Sequence, residues 1–397
     1  MQLIILDQHA IQDSRINRHM QSVKDLNCKL VRINIDRNTR YNEILRYDEK
    51  DEVYSIGIAQ NQNKSLDTLH FMISLFIMNK DICNTILKLI KYSFKEPTIL
   101  HVHDPILLPL AVRLSSYFQK HWIVYDRHEV YESRKQYYSC IYLPRIGRIA
   151  EIFVASQIDG VITIADEYRN VVRRLFPRSD TTVVPNLPIL EDYNSPAILS
   201  KIGSTPSSPL QFIYIGSLNW KSDRDIELIL YIAEHLLSKQ YNLKFIIGGA
   251  TTDKQLLLEF ARLSEAYPLN FIYTGYLSRE KVIEYTQSAH FGFFLIKPDT
   301  DYWVTCSPNK VFEYLNCGVI PIIRADCTYK EQLQNVSLWF NRKDPKDCIL
   351  NKIESLITDY IKIQEMMQQA YHLGSNLSFN SVGNEYIALY NTIEAKP

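Results

Sequence analysis

The sequence predicts an α/β protein built from two doubly wound domains, on three observations. Short apolar runs alternate with helix-period segments through the first half of the chain. The same alternation restarts after a Ser- and Pro-rich stretch near residue 200. At 397 residues, the chain is also longer than one hydrophobic core usually serves. Strands that alternate with helices imply parallel sheets joined by right-handed crossovers.

Leu3 to Leu6 is a short apolar run that reads as the first strand. In DSRINRHMQSVKDL, Ile16, Met20, Val23 and Leu26 recur at helical spacing behind an Asp13 or Ser14 cap. KLVRINI alternates with period two, as a half-buried strand does. TILHVHD, PLAVRLSSYF and HWIVYD then read as strand, helix and strand, and Val161–Ala165 and Thr181–Asn186 add two more strands. From Pro188 to Pro209 the chain is rich in Ser, Pro and Gly and is expected to be an exposed linker.

The pattern then restarts. FIYIGS, KFIIGG, NFIYTG and FGFFLI are four strand candidates; KVFEYLNC is a helix closed by Gly318, and VIPII a further strand. The tail SFNSVGNEYIALYNTI puts Val382, Tyr386, Leu389, Tyr390 and Ile393 on one side of a terminal helix, which must dock somewhere. The expected domains are 1–187 and 210–375, a linker over 188–209 and a returning helix within 376–397. Two β/α halves of similar size make a crevice between them the expected ligand site.

Composition narrows the function. Hydrophobic residues at 46% and charged residues at 22% suit a folded globular chain rather than a disordered one. A net charge of +0 gives no bulk support to nucleic-acid binding. The 7 cysteines are scattered and contain no C-x-x-C pair, against a disulfide framework or a structural zinc site. The N-terminus reads as a strand and not as a signal peptide. The longest apolar stretch, roughly Leu69 to Met78, is too short to span a bilayer, so a cytoplasmic location is expected.

Four segments carry candidate chemistry. In FIYIGSLNWKSDRDIEL a strand ends at Gly216 and Ser217, Lys221 and Arg224 follow, and a helix opens near Asp225. Strand, glycine turn and helix N-terminus expose backbone N–H groups to an anion, and Lys and Arg add charge-assisted bonds to phosphate. The plain alternative is a capped surface helix with solvated charges. In CSPNKVFEYLNCGVIPII, Pro308 suits a first helical turn, and Lys310 sits where the helix dipole prefers an anion, a conflict that a bound anion resolves. Ser307, Asn309 and Lys310 join the donor-side candidates. Glu313, one turn on, is placed to reach hydroxyls; the plain alternative is an exposed Lys–Glu pair worth a few tenths of a kcal/mol.

HVHDP places His101 and His103 on one face of a strand. His101 reads as a buried, hydrogen-bonded histidine and His103 as the better ligand-side candidate. With Asp104 they could hold a metal, but no further ligand is visible, and none is expected. In YDRHE, His128 and Glu129 lie where parallel strands open toward ligands. The D-x-D triplets Asp223–Asp225 and Asp299–Asp301 are common by chance and are not expected to bind metal. Finally, 134–178 interleaves Arg134, Lys135, Arg145, Arg148, Arg169, Arg173, Arg174 and Arg178 with Tyr131, Tyr137, Tyr138, Tyr142 and Phe153. That mix suits an anionic membrane surface or an ordinary solvated face.

In order and spacing, these motifs resemble glycosyltransferase family 4, over roughly residues 97–345. HVHDP, IVYDRHE, VITIADEYRNVVRR and VVPN are similar to its N-terminal domain; YIGSL, FIIGG, YTGYLSREKVIEY and SPNKVFEYLNCGVIPII are similar to its C-terminal domain. The resemblance implies a GT-B fold, two Rossmann-like domains with the last helix crossing back to the first. It also implies retaining, metal-independent sugar transfer from a nucleoside-diphosphate sugar, with no cofactor. Carried over by position, Lys221 and Arg224 hold the diphosphate, Glu313 the ribose hydroxyls, His128 meets the transferred sugar and His103 lines the acceptor side. The implied partners are a nucleotide-sugar donor and a glycan or lipid-linked acceptor, with peripheral contact at the cytoplasmic face of the inner membrane and no nucleic acid. The implied setting is bacterial capsule or O-antigen synthesis. One departure stands out: the first glutamate of the family's E-x7-E arrangement falls on Thr305. The rival readings are a sugar-nucleotide epimerase of the same architecture and a catalytically silent glycan-binding subunit.

Overall fold

The computed structural model describes residues 1–24, 26–40, 43–48, 52–59, 79–90, 94–128, 143–204, 209–220, 223–298, 309–325 and 329–396. They form two compact units, Met1–Pro185 with Val382–Pro397, and Asn186–Ser381.

The first unit runs β1 (Gln2–Asp7), α1 (Ser14–Val23), β2 (Lys29–Arg40), β3 (Ile44–Asp48), β4 (Val53–Ala59), α2 (Asn79–Leu89), β5 (Thr98–Val102), α3 (Leu108–Ser115), β6 (His121–Arg127), α4 (Leu143–Val154), β7 (Gly160–Thr163), α5 (Arg169–Leu175) and β8 (Asp180–Val183). Asp13 caps α1, its carboxylate accepting from the backbone N–H of Arg15 at 2.9 Å and Ile16 at 3.1 Å. The sheet order is β3-β4-β2-β1-β5-β6-β7-β8. All pairs are parallel except the β3–β4 hairpin at the edge. Because helices cover both faces, β1 and β5 are fully buried along their length.

The second unit runs α6 (Ser195–Gly203), β9 (Leu210–Ile215), α7 (Ile226–Ser238), β10 (Leu243–Gly248), α8 (Lys254–Ala266), β11 (Phe271–Tyr273), α9 (Arg279–Ser288), β12 (Phe291–Leu295), α10 (Asn309–Asn316), β13 (Ile320–Arg324), α11 (Lys330–Leu333), β14 (Leu338–Phe340), α12 (Lys346–Ile357) and α13 (Tyr360–Asn376). Its six strands are parallel in the order β11-β10-β9-β12-β13-β14. Phe212, Phe245, Phe291 and Phe293 stack through its core at ring separations of 4.6 to 6.4 Å.

The expected linker over 188–209 is corrected. Helix α6 lies inside it, opened by Asn194, whose side chain accepts from the N–H of Ala197. Ile198 and Ile202, one turn apart, are buried in the second core. Of the Ser, Pro and Gly that read as linker, Ser195 and Pro196 open the helix and Gly203 closes it, Pro fitting the first turn.

The chain closes with α14 (Asn384–Glu394), which belongs to the first unit and packs on α1, β7 and β8. Tyr386, Leu389, Tyr390 and Ile393 are buried, as the apolar side of the tail predicts. Gly160 makes room for it: a Cβ there would meet Leu389 at 3.2 Å. Among the described residues, no helix is long and apolar enough to cross a membrane.

Candidate active site

Sheet topology marks one place in each unit. In the first sheet β1 lies between β2 and β5, so the connections after β1 and β5 diverge; in the second, β9 lies between β10 and β12. Open parallel sheets bind ligands beyond the strand ends at such switch points.

In the second unit three glycine turns meet there. Gly216 N–H donates to Gly248 O at 3.0 Å, and Gly249 N–H to Gly275 O at 2.8 Å. Gly249 has φ +142°, and a Cβ on it would lie 2.1 Å from Gly216 O, so only glycine fits. Lys310, from the start of α10, reaches over this turn: its Nζ donates to Ile215 O and lies 5.8 Å from the Tyr214 ring centre. Burial lowers the Lys310 pKa; Arg224 lowers it further, while Glu313 raises it. Arg224 sits over the Phe294 ring at 5.1 Å, beside Asp223 at 3.5 Å. Burial pushes the Tyr214 phenol up to about 12. Thus Gly216, Arg224, Lys310 and Glu313, chosen from sequence, share one neighbourhood. Ser217 and Asn309 are exposed, Ser217 directly after Gly216 and Asn309 directly before Lys310. Lys221, Ser307, Thr305 and the Asp299–Asp301 triplet lie outside the described residues. Asp225 of the other triplet caps α7, accepting from Leu228 N–H at 3.0 Å, and pairs with Arg324.

In the first unit, polar groups gather beyond β1, β5 and β6. Asp126, at the end of β6, is fully buried and gripped by Arg15, whose Nε and Nη2 donate at 2.9 and 2.7 Å. Burial works against its charge, yet Arg15 and the surrounding imidazoles hold the carboxyl well below the usual range. His103 Nδ1 lies 3.3 Å from Asp126 Oδ2, and His128 Nδ1 lies 3.7 Å from Oδ1. His128 keeps 11% of its side chain exposed, whereas His103 has none. A group with no exposed surface cannot itself touch an acceptor in this conformation, so His103 is placed behind His128 and not beside it. Its ring lies 6.0 Å from that of His128. His101 is fully buried, as expected.

Three participants were not singled out from sequence: His9, Arg15 and His19. His9 Nε2 sits 3.0 Å from Asp104 Oδ2, its ring 5.4 Å from that of His128. Burial opposes its protonation, but Asp104, Asp13 and Asp7 raise its pKa to about 10. Arg15 and His19 are one turn apart on α1 and buried; that spacing of two polar residues beside Ile16 was the signal available. The ligand atoms of His19, His101 and His103, and those of His103, Asp126 and His128, each fall within 4.8 Å of one another. Hydrogen bonds engage both nitrogens of His19, His101 Nδ1 and His103 Nε2, and Arg15 holds Asp126, while His101 Nε2 and His103 Nδ1 make no hydrogen bond.

Of the basic and aromatic segment, residues 134–142 lie outside the described part. Within α4 the polarity is inverted: Glu151 is buried against Arg127, Nε to Oε1 2.7 Å, while Ile149, Ile152 and Phe153 are 63, 62 and 81% exposed.

Comparison with known proteins fits this geometry. Residues 198–373 match the family Glycosyl transferases group 1. No curated protein matches the chain. Among solved structures, the chain is similar to a sucrose-phosphate synthase from Thermosynechococcus elongatus (TM-score 0.73, 13% identity, 100% of both chains covered). It is also similar to a UDP-forming trehalose-phosphate synthase from Burkholderia xenovorans (0.71, 11%, 99% of both). A third is the E. coli trehalose-6-phosphate structure bound with UDP-2-fluoro glucose (0.69, 10%, 100% of both). The chain therefore has the GT-B fold, and a segment of its second unit matches the group 1 glycosyl transferases.

Proposed function

We propose that this chain moves a sugar from a nucleoside-diphosphate donor to a glycan or lipid-linked acceptor, with retention and without a metal ion. The observation that carries this reading is the meeting of Arg224, Lys310 and the glycine turns at the β9/β12 switch point, inside the segment that matches the glycosyltransferase family. As the sugar–phosphate bond breaks, negative charge grows on the departing diphosphate. Fixed cations and N–H dipoles stabilise that charge more in the transition state than in the ground state. Lys221 joins them by sequence position, and Glu313 takes the ribose hydroxyls. His128, partly exposed beyond β6, takes the transferred sugar. A relative of the same fold bound with UDP-2-fluoro glucose supports a nucleotide-sugar donor.

The surface-polysaccharide setting rests on the family 4 resemblance. The named relatives make sugar phosphates, so a sugar-phosphate acceptor is the competing outcome. Peripheral contact with an anionic membrane is favoured by the apolar ridge Ile149, Ile152 and Phe153, in the same stretch as exposed Arg173 and Arg174.

The test is a thermal-shift screen of UDP, GDP, ADP and CMP sugars, followed by acceptor-dependent nucleotide release. One donor class should raise the melting temperature by mass action, and Arg224→Met should abolish the shift. Should no nucleotide sugar stabilise the protein, the reading is wrong; release without any acceptor would favour an epimerase-like activity instead.

A further inference from the structure

We propose that Tyr390, on the C-terminal helix, is a positioning residue that joins the His101 imidazole to those of His19 and His103 and keeps the His101 proton turned away from Asp126, behind His128. This rests on the transferase reading above.

Tyr390 Oη lies 2.7 Å from His19 Nε2 and 2.7 Å from His101 Nδ1. His19 Nδ1 lies 3.1 Å from His103 Nε2. Both ends of this circuit face Asp126 Oδ2 without a hydrogen bond, His103 Nδ1 at 3.3 Å and His101 Nε2 at 4.0 Å. All five side chains are fully buried. Burial pushes the three histidines below their ordinary pKa, so each is neutral and carries one N–H.

A phenol has one proton, and here two nitrogens face it, so it donates to one and accepts from the other. Only two arrangements of the circuit follow. In the first, His101 Nδ1–H donates to Tyr390, Tyr390 donates to His19 Nε2, and His19 Nδ1–H donates to His103 Nε2. His103 then carries its proton on Nδ1, the nitrogen 3.3 Å from Asp126 Oδ2. The second arrangement runs in reverse and turns a bare His103 nitrogen toward that carboxylate at 3.3 Å. The first leaves its one bare nitrogen, His101 Nε2, at 4.0 Å. Lone-pair repulsion by a buried carboxylate weakens with distance, so the first arrangement prevails. Asp126 is then held by Arg15 on one side and faced by the His103 N–H on another, and His128 Nδ1 lies 3.2 Å from its backbone carbonyl and 3.7 Å from its carboxylate. Removing the phenol oxygen takes the acceptor from His101 Nδ1–H, and that proton moves to Nε2, which faces Asp126 at 4.0 Å.

The test uses the full chain labelled with ¹⁵N-histidine. Two-bond ¹H–¹⁵N spectra of the wild type should show His19, His101 and His103 all protonated at Nδ1. In Tyr390→Phe, which keeps the ring, His101 should leave that state, while His19 keeps His103 as its acceptor. kcat should fall about tenfold or more with little change in donor KM, measured well below the melting temperature. Nε2-protonated His19 or His103 in the wild type would overturn the proposal, and that result needs no variant to fold. So would an unchanged kcat in Tyr390→Phe beside an active wild type, which leaves the transferase reading intact. A wild type inactive with every nucleotide sugar would instead bring down that reading and this role with it.

Discussion

Lys310 is the residue on which the proposed donor site turns. Its half-buried side chain is bonded to the Ile215 carbonyl and lies close to Arg224 and Glu313. A cation fixed in place this way acts strongly on charge that develops nearby. We predict that Lys310→Met lowers kcat by roughly 10²–10³-fold. The freed Ile215 carbonyl should cost about 1–3 kcal/mol of stability, seen in urea unfolding. Gly249 is the second such position. Ala there faces both a positive φ and a backbone oxygen 2.1 Å away, so Gly249→Ala should destabilise by about 1–3 kcal/mol or more and weaken nucleotide-sugar binding in calorimetry. The glycine was readable in KFIIGG, but its partner, the Gly216 carbonyl, was not, because strand adjacency across the sheet leaves no local trace.

Elements with their own periodicity were legible. The helix over 14–23, its Asp13 cap, the buried strands and the tail helix all followed from apolar spacing. The hairpin β3–β4 went unread because its outer strand is a half-polar edge with Ile44 and Tyr47 exposed. Helix α6 was hidden by start signals that also mark loops. Helix α14 offers a direct test of docking. Leu389→Ala should cost about 2–5 kcal/mol, and Gly160→Ala should be unfavourable alone because its Cβ meets Leu389 at 3.2 Å. In the Leu389→Ala background that second change should cost less, giving a coupling of about 0.5 kcal/mol or more in a double-mutant cycle of urea unfolding.

At the scale of the molecule, the histidines divide unevenly. His19, His101 and His103 are held neutral in the first unit, so below their unfolded pKa near 6.5 the unfolded chain binds more protons than the folded one. Stability is therefore complete above that pH and falls below it, with a limiting slope of about 4 kcal/mol per pH unit for three groups. His9, raised to about 10, acts the other way: its contribution is present below pH 6.5 and lost as pH rises through 10. In the second unit His290 is lowered to about 4. Calorimetry between pH 7 and 5 should show the transition of the first unit moving down faster than that of the second. The sequence marked His101 as buried but could not disclose the cluster, which joins β5, β6, α1 and α14 from distant stretches of chain. One consequence reaches to the ribosome. The segment Asn186–Ser381 is continuous and can close on itself while synthesis continues, yet the unit begun by Met1 waits for Tyr386–Ile393 before its histidines are sealed. The half made first is thus finished last, and a nascent chain stalled short of those residues would present an unfinished surface to chaperones.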